Sequence, residues 1–239
     1  MRIAKLGGIL AAMAITAGTT AVVTAAPAQA ATAATAALDI SGRTSVKAAY
    51  GTYIGLLGGS VTYTAFDNST QPVNAGTADL ERRLPGGAWT VVRTFDTATG
   101  TSLSFGTFGS HAKGNVSYRV HYLGGTGTDP TNGDAPTTWD PTYSNVVTVG
   151  TYWQFNDKGS CIPRCHIYGK LAPAAKHHRI LVQVKHGTWK RYAVVYTNLR
   201  SQYRVNVTPT RYGAKYRLVV GPTTHLLKTI SQTWTATRA

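Results

Sequence analysis

Ile180-Leu181-Val182-Gln183-Val184-Lys185-His186-Gly187-Thr188-Trp189 decides the fold class of this chain. Ile180, Val182 and Val184 alternate with Leu181, Gln183 and Lys185, so one set lines one face of a strand and the other set the opposite face. His186-Gly187 then signals a turn. The same period of two recurs in Val61-Tyr63-Ala65, Val116-Tyr118-Val120, Tyr203-Val205-Val207 and Tyr216-Leu218-Val220. Pro85-Gly86-Gly87, Lys113-Gly114-Asn115 and Tyr212-Gly213 punctuate these runs. No stretch holds an apolar stripe at helical spacing for three turns. The expected fold is therefore all-β, with antiparallel sheets packed as sandwiches.

The opening stretch also has a counterpart earlier in the chain. Leu80-Glu81-Arg82-Arg83-Leu84-Pro85-Gly86-Gly87-Ala88-Trp89 is followed after 29 residues by Tyr118-Arg119-Val120, and Trp189 is followed after 27 by Tyr216-Arg217-Leu218. Each half closes alike, with Tyr143-Ser144-Asn145-Val146-Val147-Thr148-Val149 against Ile230-Ser231-Gln232-Thr233-Trp234-Thr235-Ala236. This spacing implies one supersecondary plan used twice, with a boundary near Gly150. The first copy is longer by Gly124 to Asp140, rich in Gly, Thr, Pro and Asp, which reads as an exposed loop.

Leu80-Glu81-Arg82-Arg83, Gly87-Ala88-Trp89-Thr90-Val91-Val92, Ser117-Tyr118-Arg119-Val120 and Tyr143 to Val149 together resemble the bacterial Ig-like modules of secreted proteins from Gram-positive bacteria. The resemblance covers most of 38–150 and, more weakly, 168–237. It implies tandem Ig-like β-sandwiches with a structural role and carries over no catalytic residues. In the second copy the paired Arg82-Arg83 is replaced by Gln183-Val184, and the final Val-Val by Thr233-Trp234.

Residues 1–30 read as a cleaved signal peptide. Arg2 and Lys5 precede an Ala-rich apolar run that ends in Ala28-Gln29-Ala30, an A-x-A cleavage site. Gly7, Gly8, Thr16, Gly18, Thr19, Thr20 and Thr24 dilute the run below what a membrane anchor needs. Export to an extracellular or cell-wall location is expected. Residues 31–37 read as a disordered Ala/Thr-rich linker, 38–150 as the first sandwich and 151–239 as the second. Cys161 and Cys165 are the only cysteines, and in an oxidising compartment they form a small-loop disulfide worth about 2 kcal/mol. The competing reading is a metal site with His166, His177 and His178. Cys-x3-Cys-His is not a common zinc spacing, so no metal and no cofactor is expected.

Charge divides the chain at the same boundary. Residues 151–239 carry fifteen Lys and Arg against one acid, Asp157, whereas 31–150 carry seven bases and eight acids. Solvated faces normally mix signs, so the second half points to a polyanionic partner. With Ile180, Val182 and Val184 inward, Arg179 and Lys185 face out. By the same period Arg204, Lys215 and Arg217 face out, and the Thr208 to Ala214 turn presents Arg211. With Lys190 and Arg191 these are the candidate anion-binding residues, of which Arg179, Lys185, Arg204, Lys215 and Arg217 are expected around one face. Trp189 and Tyr216 read as core residues, and aromatic stacking on bases or sugars is the alternative.

Catalysis finds no support in the residue pattern. The second half has five His but one carboxylate, which assembles neither a carboxylate pair nor a Ser-His-Asp set. His111 and His121 in the first half sit in no recognisable nucleophile or metal spacing. Asp129, Asp134 and Asp140 lack the spacing of a calcium loop and read as flexible, solvated acids. The expected function is a non-enzymatic secreted binding protein. Its basic half is expected to hold it to teichoic acid, acidic polysaccharide, membrane headgroups or extracellular nucleic acid. The alternative is a plain structural or adhesion module for protein partners, with basicity serving surface retention or solubility.

Overall fold

In the computed structural model, which describes residues 31–99, 103–105, 108–209 and 211–237, every extended element is a strand. The predicted signal segment lies outside the described residues. The first half contains β1 (Ala34–Ile40), β2 (Ser45–Ala49), β3 (Leu57–Thr64), β4 (Thr70–Pro72), β5 (Thr77–Arg83) and β6 (Thr90–Asp96). It continues with β7 (Leu103–Ser104), β8 (Val116–Tyr122), β9 (Gly125–Asp129), β10 (Ala135–Trp139), β11 (Thr142–Tyr143) and β12 (Val147–Tyr152). The second half contains β13 (Gln154–Cys161), β14 (Cys165–Ala172), β15 (Arg179–His186) and β16 (Thr188–Tyr196). After these come β17 (Gln202–Val207), β18 (Lys215–Val220), β19 (Thr229–Ile230) and β20 (Trp234–Thr235).

In the first half β1-β3-β4 faces β2-β12-β8-β5-β6 across a core, with β7 added to β3 and β11 to β8. In the second, β13-β14-β17 faces β16-β15-β18-β19, with β20 also on β18. The ladders are antiparallel, while β2 runs parallel to β12. One core gathers Ile40, Leu57, Leu80, Val120, Tyr122 and Trp139, and the other Ile167, Leu171, Ile180, Tyr203, Tyr216 and Leu218. Burying each such aliphatic side chain stabilises the fold by about 1.5–3 kcal/mol. The inward phase expected of Ile180, Val182, Val184, Tyr203, Val205, Val207, Tyr216, Leu218 and Val220 is the observed one. Cys161 and Cys165 are joined by a disulfide that closes the β13–β14 hairpin. That bond consumes both thiols, which removes the cysteine-based metal alternative.

The internal repeat is visible in the strand registers. In β5 the register shifts between Leu80 and Glu81, and in β15 it shifts between Val182 and Gln183. Glu81 then opposes Arg119, and Gln183 opposes Arg217. In each copy a serine bridges the break in the last strand. Ser144 Oγ accepts from Val120 N at 2.8 Å and donates to the Asn145 carbonyl, and Ser231 Oγ accepts from Leu218 N at 2.8 Å and donates to the Gln232 carbonyl. This register corrects the sequence alignment by one residue: Gln183 stands where Glu81 stands, and not where Arg82 does.

Two loop expectations are also corrected. Ala34 to Ala37 form part of β1 and not a disordered linker, because Ala36 and Leu38 turn into the core and the strand pairs with β3 along its length. Gly124 to Asp140 is not an open loop. It is the β9–β10 hairpin, folded back so that Trp139 packs on Tyr63 with ring centroids 5.2 Å apart. Gly127 is required there because a Cβ would strike Asn74 and the Trp139 ring. Asp129, expected to be solvated, is only 6% exposed. It accepts hydrogen bonds from the Thr131 amide and hydroxyl, the Phe66 amide and the Tyr63 hydroxyl. Burial and Asp129 together push the Tyr63 phenol up to about 12.

The halves meet without a spacer, since β12 ends at Tyr152 and β13 begins at Gln154 with buried Trp153 between. Fully buried Thr151 donates its hydroxyl to the Gly114 carbonyl at 2.9 Å, and its amide donates to Asn115 Oδ1 at 2.9 Å. Leu227 N donates to the Thr151 carbonyl and Asn115 N to the His225 carbonyl, both at 2.7 Å. The described residues accordingly belong to one compact unit.

Two substitutions test this packing. Burial alone would raise the Asp129 carboxyl, but bonds from Thr131, Phe66 and Tyr63 outweigh it and hold the group below its ordinary value. A depressed folded-state value stabilises above the unfolded value and is lost as pH falls through the folded one. Asp129→Ala therefore lowers the thermal midpoint at pH 7, and the deficit shrinks once pH falls below about 3.9. Equal deficits in thermal melts at both ends of this range would refute the assignment. Ser231→Ala strands the amide of fully buried Leu218 and costs about 1–3 kcal/mol in denaturant unfolding.

Candidate anion-binding faces

The outer face of β15, β16 and β18 is built by the strand period. Residues 179, 181, 183 and 185 of β15 point away from the core because Ile180, Val182 and Val184 point into it. Across the ladders Lys185 opposes both Trp189 and Lys215, and Gln183 opposes both Arg191 and Arg217. Like charges directly opposite destabilise a sheet, and Lys185 and Lys215 stand in that position. Arg217 lies with Cζ 4.1 Å from the centre of the Trp189 ring and donates from Nε to Gln183 Oε1 at 2.8 Å. Trp189 is thus a half-buried platform on the outer face, not the core residue expected, whereas Tyr216 is in the core at 1% exposure. The β-bulge in β16 separates them: beyond it Ala193 and Val195 pack on the core, exposed Tyr192 meets the Tyr216 ring edge-on at the bulge, and Trp189 before it lies on the outer face.

The first copy carries the same arginine-on-tryptophan stack, with Glu81 in the place of Gln183 and with Tyr143 and His121 added around it. Arg119 sits 4.4 Å over Trp89 and 4.1 Å over Tyr143, and its Nε contacts Glu81 Oε2 at 2.5 Å. His121 Nδ1 approaches the other Glu81 oxygen at 4.0 Å. The carboxylate that neutralises Arg119 is an amide at Gln183. The stacked guanidinium is retained in the second copy and its counter-ion is not. Among the described residues, no acid pairs with Arg217. An off-by-one alignment hid this exchange in the sequence; the paired bulges reveal it.

The remaining predicted residues do not share that face. Arg179, Lys185, Arg191, Lys215 and Arg217 lie on it. Lys190 opposes Val184 and so projects from the core side of the sheet at its open edge, where it is exposed. Arg204 belongs to β17, which pairs with β14 in the opposite sheet. The expectation of a single face fails there because the chain from Val207 to Lys215 crosses between sheets instead of making a hairpin. Arg211 lies on that crossing, with Nη2 3.5 Å from His186 Nδ1. It borders a small cavity of about 340 Å³ with Arg164 beside the disulfide loop.

Arg204 instead joins bases that sequence reasoning had not selected. Lys158, Tyr168 and Arg204 form one row across β13, β14 and β17, and Asn156, Lys170 and Gln202 form the next. These rows floor a groove of about 720 Å³ on the outer face, walled by Tyr196 and Asn198. The signal for it was present in the outward phase of His166, Tyr168 and Lys170.

Asp157, the single acid of 151–239, sits on neither outer face. It shares the inward phase of Phe155 and Cys161 and accepts from Trp234 Nε1 at 3.3 Å. Both faces of the second sandwich therefore present bases without carboxylates. The ion pairs found among the described residues, Arg119 and His121 with Glu81, lie in the first half. No helix among the described residues is long and apolar enough to cross a membrane.

Among solved structures, the chain is similar to a tetra-tandem repeat from the extending region of a large adhesion protein. Identity is 12% and the TM-score 0.38, over 86% of this chain and 50% of that one. It is also similar to extracellular domains 3-5 of Drosophila OTK, with 10% identity and a TM-score of 0.25 over 84% of this chain and 66% of that one. The chain thus spans half the length of the adhesion-protein repeat. No family model matches it, and no curated protein matches it in sequence.

The exchange at position 183 can be reversed. Gln183→Glu restores the carboxylate of the first copy opposite Arg217. On a partly exposed face this leaves stability unchanged or raises it by up to about 1 kcal/mol in denaturant unfolding. A clear loss of stability would show that Arg217 is not disposed to receive a carboxylate.

Proposed function

We propose that the protein is a non-catalytic extracellular module of two tandem domains that meet between β12 and β13, whose basic second domain holds an anionic polymer. The observation that carries this reading is the Glu81 to Gln183 exchange. Two copies share a bulge, a tryptophan and a stacked arginine, yet the copy without the carboxylate is also the copy with fifteen bases and one acid. Fold does not require the charge, since the first copy builds the same group close to neutrality. Excess like charge works against the compact state through self-repulsion, and an anionic partner offsets that cost.

Arg217 offers an oriented guanidinium fork and Lys185 and Lys215 offer point charges, a combination that suits phosphate, sulfate or carboxylate groups. Teichoic acid, acidic polysaccharide, membrane headgroups and nucleic acid all present such groups. The predicted export sequence and the disulfide support an oxidising, extracellular setting for the encounter.

Charge reversal of the outer face tests this assignment. The full chain carrying Lys185→Glu, Lys215→Glu and Arg217→Glu is expected to lose at least about tenfold in affinity for heparin and for DNA at low salt. The thermal midpoint checks that the triple variant remains folded. Undiminished binding by the folded triple variant would remove this face from the account. Binding to proteins with no binding to any polyanion would favour the adhesion alternative.

A further inference from the structure

The groove over β13, β14 and β17 differs in chemistry from the face around Arg217. We infer that it is a subsite for a uronate-bearing oligosaccharide; this rests on the polyanion reading and names its ligand class on the opposite sheet. Its volume of about 720 Å³ falls within the range of small-ligand sites. Three bases border it, Lys158, Lys170 and Arg204, and no acid does. Among the described residues none of these three has a protein partner.

The arrangement across the strands is specific. Tyr168 stands between Lys158 and Arg204 in one register row, with Lys170 in the next. Two strand spacings put Lys158 and Arg204 about 10 Å apart with an aromatic ring between. Tyr168 is 48% exposed and Tyr196 is 60% exposed, so ring faces remain open for contact. A pyranose ring laid on Tyr168 would carry its carboxylate, and that of a neighbouring sugar, toward cations on either side. The apolar C–H face of the sugar meets the ring while its hydroxyls turn to the groove walls.

Those walls favour a sugar over a nucleic-acid backbone. Asn156 and Gln202 flank Lys170 in register; the Asn156 amide offers both donors and an acceptor, and the Gln202 amide its donors. Hydroxyls donate and accept, whereas phosphodiester oxygens only accept, so acceptor groups in the groove are useful to a glycan and wasted on phosphate. Gln202 Oε1 already receives Asn198 Nδ2 at 3.1 Å, which fixes the Gln202 amide with its NH2 group open to a ligand. The Arg217 face, by contrast, presents the cationic donors of Arg179, Lys185, Arg191, Lys215 and Arg217, with the Gln183 acceptor already bonded to Arg217, and it binds charge without this discrimination.

Calorimetric titration of the chain from Ala31 with oligogalacturonate, its methyl ester and single-stranded DNA of matched charge tests the inference. Oligogalacturonate is expected to bind, and esterification, which keeps the rings and removes the charge, to weaken it at least about tenfold. Tyr168→Ala should cost about tenfold on oligogalacturonate and leave DNA, which the Arg217 face holds by charge, nearly unchanged. Lys158→Ala with Arg204→Ala should weaken oligogalacturonate and flatten its salt dependence by about two units of slope. Thermal midpoints check the folding of these exposed-site variants. Retention of oligogalacturonate affinity by Tyr168→Ala, or a DNA loss equal to the glycan loss, overturns the glycan subsite while the polyanion reading stands. Absence of binding to every polyanion at low salt overturns both.

Discussion

An arginine stacked on a tryptophan across a bulged hairpin is the arrangement that both copies share and on which the proposed binding face is built. In each copy the bulge rotates the end of the hairpin so that its tryptophan leaves the core and lies beneath a guanidinium from the next strand. The stack holds the guanidinium flat and leaves its charge to be settled by one neighbouring side chain. At Glu81 the charge is settled internally; at Gln183 it is held by a neutral acceptor and turned to solvent. The carboxylate at Glu81 and the amide at Gln183 thus leave one guanidinium neutralised and the other without a counter-ion among the described residues, on a shared backbone plan.

The rest of the second sandwich is consistent with that difference. Its only acid turns inward to Trp234 Nε1, so no carboxylate interrupts either outer face. Lys185 and Lys215 oppose each other on one sheet, and Lys158, Lys170 and Arg204 gather on the other. The two sheets carry bases in different company. One surrounds its cations with a tryptophan and a glutamine, the other with tyrosines and amides. A polymer engaging both would be gripped by charge on one side and recognised on the other. The junction at Thr151, buried and hydrogen-bonded to Gly114 and Asn115, joins the basic half to a near-neutral half without a flexible spacer.

Much of this was legible in the sequence because the period of two is local. Ile180, Val182, Val184, Tyr203, Val205 and Val207 turn inward as their alternation requires, and the bases between them turn outward. What the period cannot carry is which sheet a strand joins. Arg204 has the expected phase but sits in the sheet opposite Lys215, because partner choice is a long-range matter settled by the crossing at Thr208 to Ala214. Trp189 escaped for a related reason: a one-residue bulge inverts the phase beyond it, and bulges leave little trace in composition. The β9–β10 hairpin was hidden by its Gly, Thr, Pro and Asp content. Its order comes from Trp139 and Asp129 meeting Tyr63, more than sixty residues away. Ala34 to Ala37 looked like linker because alanines bury little area each, yet β3 supplies a full ladder for them.

The central claim is electrostatic capture by the second half, and its signature is ionic strength. Engagement of six to ten anionic groups on a nucleic-acid-like polymer makes the logarithm of the binding constant fall linearly with the logarithm of salt, losing about 10³–10⁵ between 50 and 200 mM. The account predicts a steep, linear fall of this kind for the full chain on an anionic polymer. A flat dependence, or no binding at the lowest salt, would contradict it.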